Sequence, residues 1–174
     1  MSTLDIDFAR LSLRDALDLA VLIEEEAQER YDEFAHQMEI HHTPEAAAFF
    51  RFMADNEAKH GARLAQRRAE LFGDAPRTVT RAMLWDVEAP EYDQARAFMT
   101  ARRAMQAALR SEEKAHAFFV DALPQVSDPG VVALFNQLRA EEIEHQDLVK
   151  RELAKLGAEP EVNDDDFVDE PTAQ

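Results

Sequence analysis

The sequence predicts an all-α protein, a four-helix bundle built from two antiparallel hairpins joined by a long crossover. Three observations predict it. Only 4 Gly and 7 Pro interrupt long stretches of Ala, Leu, Glu, Arg and Gln, residues that lose little rotamer freedom in a helix. Apolar residues recur at helical spacing along four of those stretches. The second half of the chain also repeats the first, with short turns inside each half and a long link between them. At 174 residues and 46% hydrophobic composition, one domain with a buried core is expected.

The first helix is expected to start after Ser12, with Asp15 three residues on as a capping partner, and to run to about His41 on a stripe of Leu17, Ala20, Ala27, Tyr31 and Phe34. Thr43 and Pro44 predict the start of the second helix, because a proline in the first helical position lacks only an N–H that would have no partner there. Gly73 predicts its end. Residues from 74 to about 98 read as the crossover, where Pro76, Trp85 and Pro90 break the helical period, although Glu91 to Met99 fit a short helix or an extension of the next one. The third helix runs from about Thr100 to Leu123. Pro124 and Ser127 predict a turn, and the fourth helix runs from Pro129 to Leu156 with Gly157 as its stop. The bundle thus spans residues 1–157. Residues 158–174, acidic and without a basic side chain, predict a disordered tail.

Laying the halves over each other makes the repeat explicit. Ser12, Arg14, Ala20, Glu24, Ala27 and Tyr31 fall opposite Thr100, Arg102, Ala108, Glu112, Ala115 and Phe119. Pro44, Phe50, Met53, Glu57, His60 and Leu64 meet Pro129, Phe135, Leu138, Glu142, His145 and Val149.

Charge narrows the function classes. With 19 basic against 36 acidic residues the formal charge is -17, which repels phosphate backbones and anionic lipid and concentrates cations. Neither nucleic acid nor a membrane is an expected partner, and no stretch is apolar enough to span a bilayer. The absence of cysteine excludes thiolate sites and suits a reducing compartment, so a cytoplasmic location is expected. The start of the chain has no pattern of a signal peptide.

Four glutamates sit on the wrong face. At 100° per residue, Glu24 lies within about 40° of Leu17, Ala20 and Tyr31, inside the apolar stripe. The same arithmetic places Glu57 among Phe50, Met53 and Leu64, Glu112 among Met105, Ala108 and Phe119, and Glu142 among Phe135, Leu138 and Val149. Each unpaired buried carboxylate costs several kcal/mol, so four would cancel the ~5–15 kcal/mol stability of a typical domain. No Lys or Arg recurs at matching positions to neutralise them. His60 and His145 each follow a glutamate by three residues, one turn along its helix. Two divalent cations would bring four carboxylates and two neutral imidazoles to zero net charge, with oxygen and nitrogen donors that suit iron or manganese.

Glu24, Glu57-x-x-His60, Glu112 and Glu142-x-x-His145 resemble the di-iron set of the ferritin-like carboxylate superfamily, a pattern known for helical bundles. The Glu-x-x-Ala-x-x-x-Tyr run of the first helix and the paired Glu-x-x-His helices look most like a rubrerythrin-type protein, here without a rubredoxin domain. The resemblance covers residues 12 to 156. It implies a ferritin-like bundle holding two iron ions, with manganese or zinc as substitutes. Glu24 and Glu112 become ligands to one iron each, Glu57 and Glu142 bridging candidates, and His60 and His145 one nitrogen ligand per iron. Two departures stand out: rubrerythrins proper carry a cysteine-ligated rubredoxin domain, and they carry a glutamate where this chain has Ala115. The plain four-Glu, two-His set is shared with bacterioferritin-like ferroxidases, which keeps peroxidase and ferroxidase chemistry both open.

The implied function is reduction of hydrogen peroxide or dioxygen by a di-iron oxidoreductase, acting in oxidative stress or iron handling as a homodimer or larger homo-oligomer. Electrons then come from a separate donor protein. The alternative is an iron-storage or carrier protein that uses the same site only to oxidise iron. Glu24, Glu57, Glu112, Glu142 and Tyr31 are the candidate catalytic residues; the Tyr31 hydroxyl lies two turns from Glu24, within reach of a ligand carboxylate. His116 is read as a core histidine with a secondary reading as an alternative ligand. Glu25, Glu26, Glu29, Glu113, Glu141 and Glu144 are read as solvated, and His36, His41 and His42 as surface residues.

Overall fold

A computed structural model describes residues 6–40, 42–83 and 100–156. Among the described residues there are four α-helices and no strand: α1 (Leu13–Ile40), α2 (Pro44–Phe72), α3 (Ala101–Ala122) and α4 (Pro129–Lys155). Short 3-10 turns stand at Phe8–Arg10, Arg81–Met83 and Leu123–Gln125. The chain is all-α, as its composition predicts. His41, Trp85, Pro90, the stretch Glu91 to Met99, Gly157 and the acidic tail lie outside the described residues.

Local chemistry sets the helix ends. Ser12 Oγ accepts from the Asp15 backbone N–H at 3.2 Å, capping α1, and donates to Asp15 Oδ2 at 2.6 Å, a side-chain pair in place of the reciprocal bond of a full capping box. Thr43 departs from expectation: its hydroxyl donates back to the Met38 carbonyl at 3.0 Å, which leaves Pro44 to open α2 without a side-chain cap. Gly73 closes α2 at φ 55°, a conformation that costs glycine little. Thr100 Oγ1 caps α3 from Arg103 N–H, and Asp128 Oδ1 caps α4 from the N–H groups of Gly130 and Val131. A cap of this kind contributes about 1 kcal/mol.

The core divides into two apolar layers. One holds Leu17, Leu19, Phe119, Leu134, Phe135 and Leu138, and the other Tyr31, Phe34, Met38, Phe50, Met53 and Met105. Reading which residues each helix gives to each layer fixes the directions: α1 and α4 run one way along the bundle, α2 and α3 the other. The hairpins α1–α2 and α3–α4 are therefore antiparallel, and the link from the end of α2 to the start of α3 must travel the length of the bundle. Its described part does so along α1. Thr78 donates to Asp15, Val79 is buried in the first layer, and Arg81 reaches Glu29 through two hydrogen bonds of 2.6 and 2.8 Å.

Arg68 anchors where that link leaves α2. Its Nε donates to the fully buried Asp18 at 2.9 Å, Nη1 to the Gly73 carbonyl at 2.7 Å, and Nη2 to the Ala75 carbonyl. One guanidinium thus neutralises a buried acid and satisfies the carbonyls of the turn. No helix among the described residues is long and apolar enough to cross a membrane.

Candidate metal centre

Between the two apolar layers lies a polar slab, to which every helix contributes. The stripe positions deliver Glu24 from α1, Glu57 and His60 from α2, Glu112 from α3, and Glu142 and His145 from α4. Relative exposure is 5% for Glu24, 2% for Glu57, 0% for Glu112 and 5% for both Glu142 and His145. These acids face inward, as periodicity predicts. The i, i+3 spacing carries each histidine one turn beyond its glutamate, so the two imidazoles meet across the axis, stacked with centroids 5.1 Å apart and planes 13° from parallel.

Glu57 stands between them with one oxygen toward each. Its Oε2 is 3.8 Å from His60 Nδ1 and its Oε1 is 3.3 Å from His145 Nδ1. Glu24 Oε2 joins the His60 side at 3.8 Å, and Glu112 Oε2 the His145 side at 3.3 Å. Donor atoms of Glu112, Glu142 and His145 gather within 4.8 Å of one another, as do those of Glu57, His60 and His145. A third such group contains Glu24, His60 and Glu141. Glu141 was expected on the wet face beside Glu142, but its side chain is only 19% exposed and points at His60. Tyr31 donates its hydroxyl proton to Glu112 Oε1, which ties α1 to α3 at the site.

The remaining candidates lie apart. His116 is half-buried and belongs to none of the metal-capable groups among the described residues. His36 and His42 are exposed. Glu113 and Glu144 are exposed, and Glu25 and Glu29 pair with Arg81 on the outside of the bundle.

Burial dominates the electrostatics. It pushes the Glu24 carboxyl up from 4.5 to about 7, partly offset by a hydrogen bond with Glu57. His60 is lowered, also by burial. Burial works against the charged form of His145 as well, but the hydrogen bond and charge of Glu112, with Glu24 and Glu141 nearby, lift it above its ordinary value. The metal-free site therefore retains protons that a cation would displace.

The donor set fits a pair of divalent metals. His60 Nδ1 is shut off from solvent yet has no hydrogen-bond partner. A buried nitrogen left without a partner costs free energy that a bound cation would restore. Carboxylate and imidazole donors without sulfur suit iron or manganese.

Comparison with known proteins agrees with this geometry. The rubrerythrin family model matches residues 15–153. A solved structure of an uncharacterised conserved protein from Magnetospirillum magnetotacticum MS-1 is similar at 27% identity, with a TM-score of 0.74, covering 88% of this chain and 100% of that one. No curated protein matches. The match runs from the first turn of α1 almost to the end of α4 and includes all six inward-facing donors, so the chain belongs to the rubrerythrin family of ferritin-like di-iron proteins.

Proposed function

We propose that this protein is a di-iron oxidoreductase that reduces hydrogen peroxide or dioxygen. The observation that carries the reading is Glu57, buried between two stacked histidines with one oxygen toward each and a further glutamate on either side. When bound there, two ferrous ions supply a pair of electrons to a small oxidant at once, avoiding release of a radical. For peroxide the balance is two electrons and two protons in, two waters out.

The chain's own groups have definable tasks. Glu24 and His60 on one side, and Glu112 and His145 on the other, would hold the metals, with Glu57 placed to serve both; Glu142, the second bridging candidate, is grouped here with Glu112 and His145 alone. Tyr31 fixes the Glu112 carboxylate through its hydroxyl and offers a phenolic proton donor to that side. The apolar layers above and below keep water from the slab and strengthen each electrostatic contact within it. With no cysteine in its 174 residues, the chain holds no thiolate electron-transfer centre, so re-reduction falls to a separate donor protein. We place it in the cytoplasm as a homodimer or larger homo-oligomer.

Anaerobic titration of metal-free protein with Fe(II), followed by stoichiometric peroxide, tests the reading. The expected result is two irons per chain and loss of peroxide in step with the rise of ferric absorbance. Iron binding without peroxide consumption would remove the peroxidase reading and direct the test to dioxygen. Failure with both oxidants would refute oxidoreductase function.

A further inference from the structure

We infer that Glu141 is an additional acidic ligand on the His60 side of the centre, making the two metal positions unequal. This inference rests on the two-metal reading above.

Three carboxylate oxygens from three helices surround His60 Nδ1: Glu24 Oε2 from α1 and Glu57 Oε2 from α2 at 3.8 Å, and Glu141 Oε2 from α4 at 3.9 Å. These separations are too long for hydrogen bonds. Two donors that each bind one ion at ~2.1 Å are at most ~4.2 Å apart, a limit each of the three oxygens meets with His60 Nδ1; donor atoms of Glu24, His60 and Glu141 also gather within 4.8 Å of one another, whereas Glu57 groups with both histidines. Glu141 is also held in position from behind. Its other oxygen, Oε1, accepts from Gln137 Nε2 at 3.1 Å and faces Arg63 Nη2 at 3.7 Å. One oxygen is tethered at the surface, which leaves the other directed inward.

The repeat gives the His145 side no matching acid. Residue 56, before Glu57 as 141 is before Glu142, is Asn, a neutral side chain. Charge then becomes lopsided. Four carboxylates and two imidazoles balance two divalent ions, whereas a fifth carboxylate leaves one negative charge with two ferrous ions and one positive charge with two ferric ions. Glu141 therefore favours the oxidised pair and lowers its reduction potential.

The test compares metal-free wild type with Glu141→Gln, using anaerobic Co(II) titration followed by calorimetry and visible absorbance, then Fe(II) with a potentiometric titration. Wild type is expected to take two ions. Glu141→Gln should weaken one of the two by at least tenfold, change the spectrum of that ion alone and shift the iron potential positive. Glu45→Gln, exposed in the first turn of α2, serves as control and should match wild type. Two ions bound by Glu141→Gln with unchanged affinities, spectra and potential would overturn the Glu141 assignment and leave the two-metal reading standing. Wild type that binds no metal would overturn both. Glu141→Asp guards against a folding artefact, because a shorter acid should recover part of the lost affinity where Gln recovers none.

Discussion

Replacing Glu24 by glutamine should have opposite effects on the metal-free and metal-loaded protein. Burial raises the Glu24 carboxyl from 4.5 to about 7 in the folded, metal-free chain, so folding favours its protonated form. Stability from this group is fully present below pH 4.5 and is lost as the pH rises through 7, where the folded chain must hold a buried anion. The interval corresponds to about 3 kcal/mol. Glutamine keeps the shape without the charge. At pH 8 metal-free Glu24→Gln should therefore be more stable than wild type by up to about 3 kcal/mol, or roughly 6–12 °C in melting temperature for a domain of this size. Near pH 4.5 the two should nearly coincide. With Fe(II) or Mn(II) added under argon the order should reverse at pH 8, because the amide is a poor metal ligand and stabilisation by binding grows with affinity. Circular-dichroism melts at both pH values, with and without metal, provide the measurement. Metal-free Glu24→Gln that melts below wild type at pH 8 would show that the protein alone satisfies this carboxylate and would refute the electrostatic reasoning.

Other substitutions probe separate parts of the account. Arg68→Ala should cost about 3 kcal/mol in denaturant unfolding, since it leaves the fully buried Asp18 with only the longer Arg77 contact at 3.8 Å and frees two turn carbonyls. Tyr31→Phe should leave two metals per chain by elemental analysis but slow peroxide consumption at least tenfold, and should cost about 1–3 kcal/mol because a buried Glu112 oxygen loses its donor. Glu57→Ala should reduce content at both positions, whereas Glu142→Ala should weaken mainly the ion beside His145; equal losses in the two variants would contradict the placement of Glu57 between the histidines.

Helical periodicity made the hairpins, the four buried acids and the two histidines legible, because a 100° step assigns a face to each residue without knowledge of neighbours. Asp18 shows the limit of that rule. It sits beside Leu17, and the approach of Arg68 from α2, with Arg77 of the link at 3.8 Å, explains why an acid there is fully buried. Glu141 shows the same limit: one residue from Glu142, it lies 100° round α4 from the ligand stripe, but His60 reaches across from α2 to meet it. Thr43 had the composition of a cap, yet a nearby carbonyl at the end of α1 competes for its hydroxyl. The path of the link along α1 depends on Arg77 and Arg81 finding acids many residues earlier, a pairing no local pattern encodes.

The slab is not equally sealed on all sides. His60 and Glu141 keep 17% and 19% of their side chains in contact with solvent, against 0–6% for Glu24, Glu57, Glu112 and His145. Among the described residues the most exposed edge of the centre therefore lies between α2 and α4, where the carboxylate of Glu141 stands. An acidic side chain at that edge attracts incoming cations and opposes anions.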